Sequence, residues 1–304
     1  MSKTVLKNKK AFIITGPTSG IGRLTALELA KYGTVVLMGR DLKKLEQMQR
    51  LIKEKGQDAV PVVCDLSDII SVRRAAAAII SLDIPITGLL NNAGIMQMRA
   101  TRSAQDWDTT FATNHLGPFA LTEELIPYLP DGANIAFVAS GVEDPGRKPA
   151  NAAGFRGGRF ISVEAGARGE WEPGGSKMPG ADAYATSKQC ILAAALALSR
   201  ETPRLHINAI EPGFIPNTGL GRDANGFLRF IGNYLLPLVA PYIKYWSTPK
   251  RAARLETAVL TSESGKTGIY YDEKGLPMLG SMLVQDPKFQ ELVVAETRTL
   301  LSRV

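Results

Sequence analysis

Tyr184 and Lys188 carry the clearest chemical signal in this 304-residue sequence. They stand in the run Tyr184-Ala185-Thr186-Ser187-Lys188, inside a segment with helical periodicity. A spacing of four puts both side chains on one helix face. An ammonium beside a phenol favours the ionised phenol. At ~4 Å and an effective dielectric near 20, the attraction is about 4 kcal/mol. That is roughly three pKa units, enough to bring a phenol toward neutrality. A phenol so tuned gives or takes the proton of an alcohol. The pair alone is a common accident of sequence, so its meaning depends on what accompanies it.

Proton transfer at an alcohol becomes a redox step when a hydride carrier lies beside it. The run Thr15-Gly16-Pro17-Thr18-Ser19-Gly20-Ile21-Gly22 joins an apolar strand to a helix. Glycines there permit a tight turn and close backbone approach to a pyrophosphate, and the helix N-terminus presents free N–H groups. Gly16, Thr18, Ser19, Gly20, Ile21 and Gly22 are therefore candidate dinucleotide contacts, in the strand–turn–helix context such a site requires. The second strand ends in Met38-Gly39-Arg40-Asp41. Gly39 stands where an NAD site carries an acid, and Arg40 follows it. Arginine forks onto a phosphate, while Asp41 suits the N-cap of the next helix. The loop points to NADP(H), with Arg40 on the 2′-phosphate.

The elements that must position these residues alternate along the chain. Short apolar runs, candidate strands, fall at Ala11–Thr15, Val35–Met38, Ala59–Val63, Gly88–Leu90, Asn134–Ala139 and His206–Ile210. Such runs suit parallel strands buried on both faces. Helical patterns lie between them, at Ile21–Lys31, Asp41–Lys55, Leu66–Ile80, Ala104–Leu129 and Ala183–Glu201. The alternation predicts an α/β fold, one Rossmann-like doubly wound parallel sheet with helices on both faces. The tail from Ser281 reads as one amphipathic helix.

Taken in order, these stations resemble the short-chain dehydrogenase/reductase family over residues 9–215. Thr15-Gly16-x-x-x-Gly20-x-Gly22 matches its cofactor turn, and Asp65-Leu66 its adenine-side position. Asn91-Asn92-Ala93-Gly94 matches the motif after the fourth strand. Asn114, Ser140, Tyr184 and Lys188 match the catalytic tetrad, and Glu211-Pro212-Gly213 the turn after the sixth strand. The resemblance implies that Tyr184 is the general acid/base and that Lys188 tunes it and holds the nicotinamide ribose. It implies that Ser140 orients the substrate oxygen and Asn114 anchors a relay water. Asp65, Leu66, Asn92, Ala93, Gly94, Pro212 and Gly213 would join Tyr184 and Lys188 in lining the cofactor. The segments Met38–Asp41, Asn114–Phe119 and Ser264–Tyr271 look like the retinol-dehydrogenase-like and protochlorophyllide-reductase-like branch. Ser140 and Tyr184 lie farther apart than in compact members of the family, and Glu211 has no assigned role.

The chain reads as one domain, 1–304, with a cofactor-binding and catalytic core (9–215), an insertion (141–180) and a lid with C-terminal segment (214–304). Residues 141–180 are rich in glycine and proline and read as a long loop. As the step into the catalytic helix, that loop would cover the face through which family members commonly pair, which favours a monomer. Residues 227–246 are strongly apolar, but Pro237, Pro241, Arg229, Asn233 and Lys244 argue against a membrane span. They either pack on the sheet or form a lid over an apolar pocket that can also touch a membrane surface. The substrate expected is then a lipophilic small molecule with a carbonyl or alcohol group, of aldehyde, ketone, retinoid or steroid type.

Composition excludes other classes. With 45% hydrophobic and 21% charged residues the chain is globular. Its net charge of +7 comes partly from Lys3, Lys7, Lys9 and Lys10, with no basic run beyond them, so no nucleic-acid partner is expected. Two cysteines without metal spacing and two isolated histidines give no metal site and a reduced, cytoplasmic setting. Three readings survive: an NADP(H)-dependent oxidoreductase, a catalytically silent NADP-binding sensor of the same fold, and a light-dependent pigment reductase.

Overall fold

A computed structural model describes residues 10–215 and 245–304. The apolar segment 227–246 lies outside the described residues except for its last two positions. Strands β1 (Ala11–Thr15), β2 (Thr34–Gly39), β3 (Ala59–Val63), β4 (Ile86–Asn91), β5 (Asn134–Val138) and β6 (His206–Ile210) fall where the apolar runs predict. Strands β7 (Tyr270–Tyr271) and β8 (Pro277–Met278) complete one sheet in the order β3-β2-β1-β4-β5-β6-β7-β8. Pairing is parallel through β7 and antiparallel only between β7 and β8. The order reverses between β1 and β4. In open α/β sheets, ligands bind outside the carboxyl ends of the strands at such a point.

Alternate residues of one strand serve two cores. Phe12 and Ile14 pack with Leu29 of α1 (Gly20–Leu29), Leu45 of α2 (Leu42–Lys53) and Leu260 of a helix at Pro249–Leu260. Ala11 and Ile13 face Val72 of α3 (Ile69–Ile80) and the helices that follow β4 and β5. Burial on both sides explains why the strands read as continuous apolar runs.

Three expectations, two of a helix and one of a loop, are corrected by the structure. The pattern Ala104–Leu129 becomes helical only at α4 (Thr109–Phe111), because Asp108 accepts the Phe111 N–H at 2.8 Å as an N-cap. It then widens into a π-turn at Ala112–Leu116, continues as α5 (Gly117–Leu125) and ends in a 3₁₀ turn at Ile126–Tyr128. The insertion is not a plain loop. It holds a 3₁₀ turn (Gly141–Glu143), α6 (Lys148–Ala152) and α7 (Val163–Arg168) before the long α8 (Ala181–Glu201). After β6 come α9 (Pro249–Leu260), α10 (Met282–Gln285) and α11 (Pro287–Leu301). The tail is two helices because Pro287 keeps Asp286 extended, at φ −76° and ψ 116°.

Helix α8 is buried nearly all round. The sheet covers one side, and α11 lies along the other. Arg298 of α11 reaches Glu123 of α5 at 3.0 Å and Glu201 of α8 at 2.6 Å. Glu296 accepts the Val163 N–H at 2.8 Å, tying α11 to α7. The outer face of α8 is thus covered chiefly by the C-terminal helix, with the insertion at its margin. Among the described residues no helix is long and apolar enough to cross a membrane.

Candidate active site

Three chain segments meet at the carboxyl edge of the sheet. Tyr184 and Lys188 come from the first two turns of α8, Ser140 from the residues after β5, and Asn114 from the π-turn. A π-turn re-aims one side chain within an otherwise helical run and recurs at functional sites. Here it lets Asn114 clamp the loop after β4. Its Oδ1 accepts the Ile95 N–H and its Nδ2 donates to the Ile95 carbonyl, each at 2.9 Å. Nδ2 also donates to Ser187 Oγ at 3.0 Å, which fixes α8 against the same loop.

Ser140 lies beside the Tyr184 phenol and acts to lower its pKa. Lys188 Nζ donates to the Val138 carbonyl at 2.6 Å and lies 5.7 Å from the Tyr184 ring centre. Gly94 gives these groups their room, since a Cβ there would come within 3.3 Å of Lys188 Nζ and 3.4 Å of Asn114 Oδ1. The structure therefore brings Asn114, Ser140, Tyr184, Lys188 and Gly94 into one cluster, as the spacing and the resemblance imply.

The electrostatics correct one expectation. Burial raises the Tyr184 phenol to about 12, with an opposing pull from Ser140 and a smaller push from the Glu211 charge. Burial also pushes the Lys188 ammonium down to about 8. The ammonium is spent on Val138, so loss of water dominates the phenol and it is not drawn toward neutrality.

The candidate dinucleotide residues line the same edge. Thr15 Oγ1 accepts the N–H groups of Asn92 at 3.0 Å and Ala93 at 2.9 Å, and Asn92 Nδ2 donates to the Thr15 carbonyl at 2.7 Å. One threonine thus locks the turn after β1 to the turn after β4. Gly16 takes φ +71°, and a Cβ on Gly22 would collide with the Gly16 carbonyl and Asn92. Ser19, the N-cap of α1, makes no side-chain capping bond, which leaves the first-turn N–H groups beside Gly20 and Ile21 open. At Gly20 a Cβ would meet nothing within 4 Å, so the turn faces open space. Thr18 is half-buried in that turn. This cradle fits a pyrophosphate.

Arg40 is exposed at the end of β2. Asp41 caps α2 as expected, accepting the Lys44 N–H at 3.2 Å. Asp65 accepts the N–H and hydroxyl of Ser67 at 2.9 and 2.7 Å, while Leu66 beside it is buried. Pro212 and Gly213 follow β6, with Gly213 at φ +81°.

Three contacts have no signal in the sequence. The Phe155 ring, from the insertion, lies 6.4 Å from the Tyr184 ring. Arg147, also from the insertion, pairs with Glu211 at 2.6 Å. Glu143 is buried, its carboxylate taken by the Ser281 N–H at 2.7 Å and hydroxyl at 2.6 Å. Their partners lie far off in the chain, where no local pattern can show them.

A family profile described as short chain dehydrogenase matches residues 10–151. Human dehydrogenase/reductase SDR family member 13 is 34% identical over 236 residues, 75% of this chain and 56% of its own length. The chain belongs to the short-chain dehydrogenase/reductase family. Human retinol dehydrogenase 13 is 29% identical over 86% of this chain and 76% of its own. The relatives thus place it in the retinol-dehydrogenase-like branch. The chain spans just over half the length of the first of these curated relatives. The fold is shared with a crystal structure of an uncharacterized Mycobacterium paratuberculosis protein, at a TM-score of 0.69 and 24% identity over 99% of this chain and 97% of the other.

Proposed function

We propose that this short-chain dehydrogenase/reductase is an NADP(H)-dependent oxidoreductase that interconverts a carbonyl and an alcohol on an apolar substrate. Ser140 beside the Tyr184 phenol, with Lys188 one turn on and Asn114 clamped on the neighbouring loop, carries the reading. When bound, the nicotinamide supplies or accepts the hydride. Ser140 holds the substrate oxygen, and Tyr184 exchanges the proton with it. A phenol near 12 is protonated at neutral pH, the form that reduces a carbonyl. Lys188 keeps a positive charge beside the ribose, and Asn114 orders the groups behind Lys188.

Gly16, Thr18, Ser19, Gly20, Ile21 and Gly22 would hold the pyrophosphate, and Arg40 the 2′-phosphate. Asp65 and Leu66 would border the adenine. Asn92, Ala93, Gly94, Pro212 and Gly213 would line the ribose and nicotinamide. Free, buried Cys64 and Cys190 agree with a reducing, cytoplasmic setting.

The chain acts as a single domain and as a monomer in this reading, because α11 occupies the outer face of α8. Light scattering at micromolar concentration is expected to give the mass of one chain. A stable dimer or tetramer would contradict it.

Apolar substrates are supported by Phe155 beside Tyr184 and by exposed Phe214, packed on Trp246 at 5.2 Å just past Gly213. The name of the retinol dehydrogenase relative points the same way. Along aldehydes of growing chain length, kcat/KM is expected to rise by up to ~0.8 kcal/mol per buried CH₂, until the pocket is full. A series that is flat, or best on small polar carbonyls, would reject the apolar pocket and leave the catalytic assignment standing.

A further inference from the structure

One buried ion pair beside the site is not explained by hydride or proton transfer. The Arg147 side chain is 10% exposed and its partner Glu211 7%. The guanidinium also lies 4.0 Å over the Tyr245 ring. Only a glycine at position 141 leaves it room, since a Cβ there would overlap the guanidinium. Glu211 is rigidly placed. Its N–H donates to the Tyr271 carbonyl at 2.8 Å, its Oε1 takes the Arg147 guanidinium, and that guanidinium lies against Gly141. Gly141 directly follows Ser140, which lies beside the Tyr184 phenol. The Arg147–Glu211 pair therefore packs against the residue that follows Ser140.

Burying such a pair is costly, and replacing it by apolar residues is often neutral or stabilising. Stability alone therefore does not account for its place. Several charged and titratable groups surround the phenol and the pair. Lys188 comes from α8, Glu143 and Arg147 from the insertion, Glu211 from the end of β6, and Tyr270 and Glu273 from β7 and the turn after it. Glu143 is held by Ser281, and Glu273 accepts the Tyr245 N–H at 3.1 Å. Glu211 is the acid whose charge falls directly on the phenol, and Arg147 is its counter-charge.

We infer that Glu211, held by Arg147, is a positioning residue for the Ser140–Tyr184 proton-transfer pair. It acts through Gly141 on the place of the serine, and through its charge on the proton of the phenol. The inference rests on Tyr184 being the acid/base. It gives the insertion a part in the chemistry, since Arg147 ties the insertion to the end of β6 through a buried ion pair.

The test is the pH profile of kcat/KM for oxidation of an aliphatic alcohol with NADP⁺, which rises with pH as the phenol ionises. Glu211→Gln removes an anion facing the phenol, so the proton leaves more easily and the rising limb moves to lower pH, by about half to one unit. Arg147→Met leaves Glu211 uncompensated and moves the limb up by a similar amount. Arg147→Lys keeps the charge and leaves the limb near its original pH. Limbs that stay put in both neutral variants, or move the same way, overturn the inference, because a merely structural pair would slow turnover without opposite shifts. Should Glu211→Gln fail to fold in a melting check, the contrast between Arg147→Met and Arg147→Lys decides. Tyr184→Phe is measured alongside. A limb that survives it removes Tyr184 as the acid/base, whereas a limb lost with it but unmoved by the other variants removes only the role of Glu211.

Discussion

Replacing Tyr184 by phenylalanine is expected to lower turnover by a factor of about 10² or more, the usual worth of a positioned acid, while NADPH binding stays close to that of the parent. The phenol oxygen is the one atom removed. The ring stays among Phe155 and the buried residues of α8, so the fold has little reason to change. Lys188 keeps its bond to Val138, and Asn114 keeps its clamp on Ile95. Ser140 loses its phenol neighbour but still lies where a substrate oxygen would sit. The loss should therefore appear in kcat and kcat/KM together, the signature of an interaction made in the transition state. Near-parental turnover in a folded Phe variant would remove Tyr184 from the mechanism.

Arg40→Ala is expected to weaken NADPH by about tenfold to a hundredfold and to leave NADH almost unchanged. Hydrogen bonds to a charged group are worth ~1.5–3 kcal/mol, and each 1.4 kcal/mol is tenfold in affinity. Arg40 is exposed at the end of β2, and Asp41, the one acid beside it, is committed to capping α2. Nothing at that strand end offers a carboxylate to the ribose of NADH. Titration of both cofactors against parent and variant checks this. A parent protein that prefers NADH, or a variant that loses both cofactors equally, would mean that the β2 loop does not read the 2′-phosphate.

The site was legible where its chemistry is local. Tyr184 and Lys188 are one helical turn apart, and the glycine turn follows its strand directly, so periodicity alone aligns them. The six long strands show as short apolar runs because most are buried on both faces, while the edge strand β3 is only partly covered. The β7–β8 hairpin does not, because strands of two residues such as Tyr270–Tyr271 carry no period. The π-turn that aims Asn114 is hidden for a related reason: one widened turn leaves the apolar pattern of Ala104–Leu129 intact. Arg147 and Glu211 lie 64 residues apart and meet only through the fold. The state of the phenol does not follow from the sequence, because a spacing of four fixes the helix face, not the burial. Val138, which takes the Lys188 ammonium, belongs to another strand.

The central claim is that the cluster at Tyr184 turns over carbonyls with NADPH. Its most direct test is steady-state oxidation of NADPH by the wild-type protein over a panel of aldehydes, ketones, steroids and retinoids, beside a binding titration of NADPH itself. The account predicts tight NADPH binding and turnover on apolar members of the panel, faster than with NADH. Tight NADPH binding with no turnover on any member would contradict it, and would leave a protein that senses the cofactor without using it.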